Sequence, residues 1–133
     1  MKIIGTAIFL IKNNQFAISL RKNTNHFCDY YGIPGGKVEN NETFKKCIIR
    51  ETYEETGVKL NSDEVFELED PKFYNKPFDS NDEITCQWFY AFIKELPKTN
   101  IENREWHWVS FNNPPQKLMP GTKEMLEKVK KYI

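Results

Sequence analysis

A chain of 133 residues with 39% hydrophobic and 14% aromatic content can bury a core, and a single domain over residues 1–133 is expected. Its 19 Lys and Arg balance 19 Asp and Glu, so no global basic field argues for a nucleic-acid partner. No apolar run reaches membrane-spanning length, and Gly5 and Thr6 interrupt the only stretch resembling a signal peptide, so the expected location is the cytoplasm.

In chain order, residues 3–11 and 15–20 predict two strands joined through Lys12-Asn13-Asn14, because Asn tolerates the positive φ of a tight hairpin. Phe16, Ile18 and Leu20 alternate with Gln15, Ala17 and Ser19, which puts one face on a core. Arg21-Lys22 closes the hairpin and has two readings: cations that protect an edge strand, or contacts to phosphate or base at the mouth of a site, with Arg21 the favoured contact. Residues 23–31 read as a polar-aromatic loop, and Gly32-Ile33-Pro34 as a short strand leading into glycines.

Residues 35–58, GGKVENNETFKKCIIRETYEETGV, carry the densest pattern in the chain. Five residues separate Gly36 from Glu42, seven more lead to Arg50-Glu51, and Glu54-Glu55 and Gly57 follow. Asn40 or Asn41 can cap a helix, residues 43–56 lack Gly and Pro, and Gly57 fits a left-handed C-cap. On that helix Glu51, Glu54 and Glu55 stand at i, i+3 and i+4, which brings them to one face. Three like charges so placed repel unless a cation sits among them, and hard oxygen donors favour Mg²⁺ or Mn²⁺. Arg50 can brace a carboxylate, and Glu42 complements the helix N-terminus and can reach Arg50. Pro34-Gly35-Gly36 leaves the backbone open to close approach, the Gly36 carbonyl can turn toward a metal, and Lys37 can meet phosphate oxygens. Glu51 to Glu55 alone would read as a solvated helix face; the combined spacing after Pro-Gly-Gly-Lys argues for the metal site.

Further along, residues 64–69 read as a strand and 70–81 as a long loop with two prolines. Residues 84–93, ITCQWFYAFI, predict a central strand covered on both faces, with Trp88 and Phe89 pointing oppositely. Residues 104–111 form another strand, on which Trp106 and Trp108 share a face, and an amphipathic helix closes the chain at about 122–132. Cys28, Cys47 and Cys86 have no metal or redox spacing, Cys47 is expected to pack, and His26 and His107 stand apart, so no zinc site is expected.

The spacing G-x5-E-x7-R-E-U-x-E-E-x-G-U, with U a bulky aliphatic residue, resembles the signature of the Nudix hydrolases, which cleave a nucleoside diphosphate linked to another group. Thr52 is its one departure, a β-branched residue with an added hydroxyl at a position usually aliphatic. The Pro-Gly-Gly-Lys loop, late Trp-bearing strand and final helix extend the likeness to the MutT-type nucleoside triphosphate pyrophosphohydrolases. The resemblance implies an α/β (α+β) Nudix fold, with a mixed β-sheet sandwiched between helices. It implies hydrolysis of a nucleoside or deoxynucleoside triphosphate to the monophosphate and pyrophosphate, with clearance of modified nucleotides as one role. Divalent ions, Mg²⁺ with Mn²⁺ as the alternative, would be held by Glu51, Glu54, Glu55 and the Gly36 carbonyl. Arg50 belongs to the catalytic set, and Gly35, Glu42 and Gly57 shape the motif. Lys37 and Arg21 would hold phosphates, while Ile33, Trp88 and Trp108 are candidates for the base pocket, each with core packing as the rival reading.

In MutT-like proteins a further Glu precedes the late Trp by about six residues; Glu102 stands six before Trp108, with Glu105 its rival. The general base is left open among Glu54, Glu55 and Glu102. MutT reads an oxidised guanine through an Asn near the final helix, and residues 118–122 hold none, which weakens an 8-oxo-dGTP assignment. Tyr74, sixteen residues after Val58, gives dinucleoside polyphosphates as the runner-up substrates, alongside other nucleoside-diphosphate conjugates. From another class comes a non-catalytic nucleotide-binding sensor, against which the full set of carboxylates argues. The expected partner is a small-molecule nucleotide, with no membrane and no nucleic acid, for a monomer or homodimer.

Overall fold

The computed structural model describes residues 2–22, 27–75, 83–95 and 105–133. In chain order the strands and helices are β1 (Lys2–Lys12), β2 (Gln15–Leu20), β3 (Tyr31–Gly32), β4 (Gly35–Lys37), α1 (Phe44–Thr56), β5 (Phe66–Glu67), β6 (Lys72–Asn75), β7 (Glu83–Phe92), β8 (Trp106–Ser110) and α2 (Thr122–Val129). β1 and β7 are the spine. They run parallel from Lys2↔Glu83 to Ile11↔Phe92, and the outer edge of β7 is covered by antiparallel β6 and β5.

The other edge of β1 is forked. At its far end β1 pairs with β2 through the tight turn at Asn13 and Asn14, whose φ of 50° and 63° match the left-handed pair required by a two-residue hairpin. β2 then turns away and takes β8 along one edge and β3 along the other. The gap is filled by β4, which pairs with the first half of β1 from Gly5↔Lys37 to Ala7↔Gly35. The glycine-rich segment therefore sits where the two long strands part.

Helices cover both faces. Phe9, Phe16, Trp88, Met125 and Leu126 form a core under α2, while Ile8, Leu10, Phe89, Ile48 and Trp106 form one under α1. Neighbouring residues of β1 and β7 thus alternate between two cores. This is the mixed sheet between helices expected from the sequence, with Trp88 and Phe89 on opposite faces.

The period of two in residues 15–20 puts Phe16 and Ile18 together in the α2 core as expected, and Ala17 enters the α1 core because both sheet faces are covered. Three local expectations are corrected. Residues 70–81 are not wholly irregular, since Lys72–Asn75 pairs with β7 just after Pro71, whose missing N–H falls outside the ladder. The strand expected at 64–69 shrinks to Phe66–Glu67 behind a 3₁₀ turn at Ser62–Glu64. The α1 cap is Thr43, whose hydroxyl accepts the Lys46 N–H at 3.1 Å; Asn41 adopts φ 64° in the turn before it. No helix among the described residues is long and apolar enough to cross a membrane.

Candidate active site

α1 begins at the Thr43 cap and ends on Gly57, which adopts φ 77° and closes the helix through its N–H to the Tyr53 carbonyl at 2.9 Å. Its inner face buries Cys47, Ile48, Thr52, Glu55 and Thr56, which holds the acidic positions at a set rotation against the sheet. Trp106 adds a hydrogen bond from its indole N–H to the Glu55 carbonyl at 3.1 Å, tying β8 to the same turn.

Arg50 is the hub of the acidic side. Its Nε donates to Glu42 at 2.7 Å, and one terminal nitrogen reaches Glu51 at 2.8 Å and Glu54 at 3.0 Å. The other terminal nitrogen donates to Glu42 at 3.0 Å and to the Lys37 carbonyl at 3.2 Å. The Arg50 hydrogen bonds hold the Glu42 carboxyl down at about 2, and Glu42 in turn raises the Arg50 guanidinium above its ordinary value. The cation drawn between Glu51 and Glu54 here is thus a guanidinium. Glu55 turns elsewhere: it is 4% exposed, and its carboxylate accepts the Gly35 N–H at 3.3 Å. Among the described residues no three His, Cys, Asp or Glu side chains gather into a ready cage, because Glu54 leans on Arg50 while Glu55 faces the glycine strand.

β4 brings the two acidic groups to one backbone. A Cβ on Gly35 would lie 2.1 Å from the Thr6 carbonyl oxygen, so only glycine lets β4 approach β1 this closely. A Cβ on Gly36 would lie 2.2 Å from the carboxyl carbon of Glu51, so its absence makes the seat in which that carboxylate rests. The Gly36 carbonyl accepts the Thr6 hydroxyl at 3.1 Å, and the buried Cys47 thiol lies behind it, donating to the Lys37 carbonyl at 3.4 Å. Burial pushes that thiol above its ordinary value, in keeping with the packing role expected for it.

The donor chemistry fits a hard divalent cation. Every candidate ligand is oxygen, three carboxylates hydrogen-bond to one guanidinium with Glu39 a fourth at 3.5 Å, and the glycine seat leaves Glu51 pressed against bare backbone.

On the opposite face of β4 lies a cavity of about 220 Å³. Trp88, Ile84 and Cys86 line it from β7, Tyr74 from β6, Ile33 and Gly35 from the fork, Arg21 from the end of β2, and Met119 and Pro120 from the approach to α2. Arg21, Ile33 and Trp88 are therefore brought together as expected. Lys37 is exposed on the acidic side and does not line the cavity. Trp108 is corrected: it pairs with Ala17 and packs against the α1 core, because the face it shares with Trp106 points away from the cavity. Glu102 lies outside the described residues, and its rival Glu105 is exposed beside His107.

Sequence reasoning missed part of the lining. Ile84 and Cys86 stand four and two residues before Trp88 on a strand, so the period of two could have found them. Met119 and Thr122 come from the region compared with the MutT base-reading Asn, but as an apolar and a hydroxyl side chain.

A mixed sheet between helices, with an Arg-braced acidic helix and a cavity joined through one glycine strand, defines a class. The NUDIX domain family matches residues 1–129, and the chain belongs to that family. Within it the likeness is to MutT-type Nudix hydrolases. The chain is 33% identical over 57 residues to an 8-oxo-dGTP diphosphatase of Proteus vulgaris, covering 43% of this chain and 51% of that protein. It is 33% identical over 69 residues to the 8-oxo-dGTP diphosphatase of Escherichia coli K12, covering 50% of this chain and 54% of that one. The matched span is thus about half the length of each of these curated relatives. The crystal structure of a MutT NUDIX hydrolase from Burkholderia pseudomallei superposes with a TM-score of 0.81 at 22% identity, over 97% of this chain and 98% of its own, a likeness of fold.

Proposed function

We propose that the chain is a divalent-metal-dependent pyrophosphohydrolase that cleaves a nucleoside or deoxynucleoside triphosphate to the monophosphate and pyrophosphate. The observation that carries this reading is β4. Its Gly35 lines the cavity and donates its N–H to Glu55, while the next residue seats Glu51. A base held in the cavity would therefore run its phosphates over Gly35-Gly36 toward the carboxylates. Glu51, Glu54 and Glu55, with the Gly36 carbonyl, would hold Mg²⁺ or Mn²⁺. Bound there, the ion would neutralise the polyphosphate and favour attack of water at phosphorus.

The chain's own residues do the rest. Arg50 holds the Glu51 and Glu54 carboxylates in place through its hydrogen bonds. Ile33 and Trp88 would hold the base, Arg21 and Lys37 would meet phosphate oxygens, and Glu54, Glu55 and Glu102 are the candidates to take the proton from water. Tyr74 lines the cavity, and dinucleoside polyphosphates stay the runner-up substrates. The half-length match to 8-oxo-dGTP diphosphatases makes that nucleotide one member of the test set.

The test is pyrophosphate and phosphate release with Mg²⁺ over natural and modified nucleoside triphosphates and dinucleoside polyphosphates, with Glu54→Gln alongside. Pyrophosphate from a triphosphate, reduced by at least about 100-fold in the folded variant, is the expected result. Full turnover by that variant would remove Glu54 from the metal set. Nucleotide binding without any turnover would favour the sensor.

A further inference from the structure

On the α1-facing side of β1, Thr6, Ile8 and Leu10 follow one another at the strand's period of two. Ile8 and Leu10 are fully buried in the core under α1, and Thr6, 5% exposed, is the polar member of the row. Valine has the same branched outline, and a buried hydroxyl is costly unless it is paired. The Thr6 hydroxyl is paired with the metal-site backbone. Thr6 stands across the β1–β4 ladder from Gly36, and its Oγ1 donates to the Gly36 carbonyl at 3.1 Å. The same oxygen lies 3.3 Å from Cys47 Sγ on α1, and that thiol reaches the next carbonyl, Lys37, at 3.4 Å. Arg50 donates to the Lys37 carbonyl as well, at 3.2 Å, and Glu55 receives the Gly35 N–H at 3.3 Å. A strand whose two glycines offer no side chain for anchoring is thus pinned residue by residue from β1 and α1.

We infer that Thr6 is a positioning residue of the metal site: its hydroxyl fixes the direction of the Gly36 carbonyl, so that this oxygen can join Glu51, Glu54 and Glu55 around the divalent cation. Glycine at 36 lets the Glu51 carboxylate come close, but it also leaves the backbone there freer to turn than any other residue would. Mg²⁺ demands near-ideal octahedral geometry at about 2.1 Å, so a carbonyl ligand that swings loses affinity. Oxygens that bind metals are commonly held by hydrogen bonds from neighbouring groups, which set their orientation. Thr6 supplies that hold from a strand paired along its length with β7, the most rigid place available to it. It acts through Gly36 and takes no part in the chemistry. This inference rests on the metal site proposed above.

The experiment uses the full chain and Mn²⁺ alone, titrated while water-proton relaxation is followed, for the unaltered chain and for Thr6→Val, Thr6→Ala and Thr6→Ser. Thr6 also lines the cavity, and valine keeps its outline there; alanine is the second hydroxyl-free variant should valine disturb the fold, which far-UV circular dichroism reports. The valine and alanine variants should bind Mn²⁺ about 10- to 100-fold more weakly, and serine should restore binding to within about threefold. In turnover, raising Mg²⁺ should return the valine variant to nearly the kcat of the unaltered chain, because what is lost is the hold on the ion. Cys47→Ala should weaken Mn²⁺ binding less than Thr6→Val does, since a thiol is the weaker donor. Unchanged Mn²⁺ affinity in both hydroxyl-free variants overturns the inference. So does a serine variant as weak as the valine one, which would put the effect in the methyl group, or a fall in kcat that saturating Mg²⁺ does not restore. A larger loss in Cys47→Ala would pass the role to the thiol. Absence of Mn²⁺ binding by the unaltered chain would sink the metal reading itself, whereas binding that survives loss of the hydroxyl sinks this inference alone.

Discussion

Arg50 ties the acidic side of α1 together, and its partner Glu42 is the carboxylate whose titration it shifts. In the fold the Glu42 carboxyl is held at about 2 against an ordinary value of 4.5. A depressed carboxyl contributes stability that is present in full above its unfolded value and is lost as pH falls through its folded value. Glu42→Gln should therefore lower stability at pH 7 by on the order of 1–2 kcal/mol and flatten the loss of stability between about pH 4.5 and 2. Denaturant titrations across that range check it; an unchanged acid limb would mean that Arg50 does not need Glu42. Thr52 makes the opposite case. It is 0% exposed, and its hydroxyl has no hydrogen-bond partner among the described residues, at a position where the family usually carries an aliphatic side chain. Thr52→Val keeps the shape and removes the unpaired hydroxyl, so a gain of about 1 kcal/mol and a Tm rise of roughly 3 °C are expected. A lower Tm would show that the hydroxyl is satisfied after all.

At the scale of elements, α1 and β4 act as one part. Placing a methyl on Gly36 would force it into the Glu51 carboxylate while leaving both cores untouched. Gly36→Ala should therefore cost about 10- to 100-fold in Mn²⁺ affinity, read by EPR titration, with the far-UV circular dichroism unchanged. Retained affinity would take Glu51 out of the metal set. This part was legible in the sequence because its signals are local: helix length, the Gly57 stop and carboxylates at i, i+3 and i+4 all lie within one short stretch. The Arg50 hub was legible for the same reason, since Glu54 follows it by one turn. What could not be read locally was the direction of Glu55, which depends on β4 arriving beside it. Trp108 failed for a related reason. A period of two tells that Trp106 and Trp108 share a face but not which of two covered faces, whereas Trp88 gained its place from the parallel register with β1.

For the whole molecule, the sheet separates the two halves of the site. The cavity lies on the α2 side and the carboxylates on the α1 side, and among the described residues they meet where β1 and β2 part and β4 fills the gap. That fork was invisible in the sequence, because strand order is a property of long-range pairing and not of any one segment. Fold class was legible all the same: two helical patterns and several strand patterns, one of them apolar on both faces, leave few arrangements other than a covered mixed sheet.

The spine of that sheet joins residues 81 positions apart, Lys2 and Glu83, in a parallel pairing that no hairpin can nucleate. Closing so long a loop precedes any return from the pairing, so refolding should be slow for a chain of this length. The cavity draws on Thr6 at one end and Thr122 at the other, so it is assembled among the last features. A nucleotide then finds nothing to grip on the ascent to the barrier and everything to grip beyond it. Stopped-flow traces with and without the preferred nucleotide should show an unchanged refolding rate and slower unfolding, a kinetic lock on a finished structure. Faster refolding in its presence would mean that the two ends of the chain meet early, with the ligand as their matchmaker.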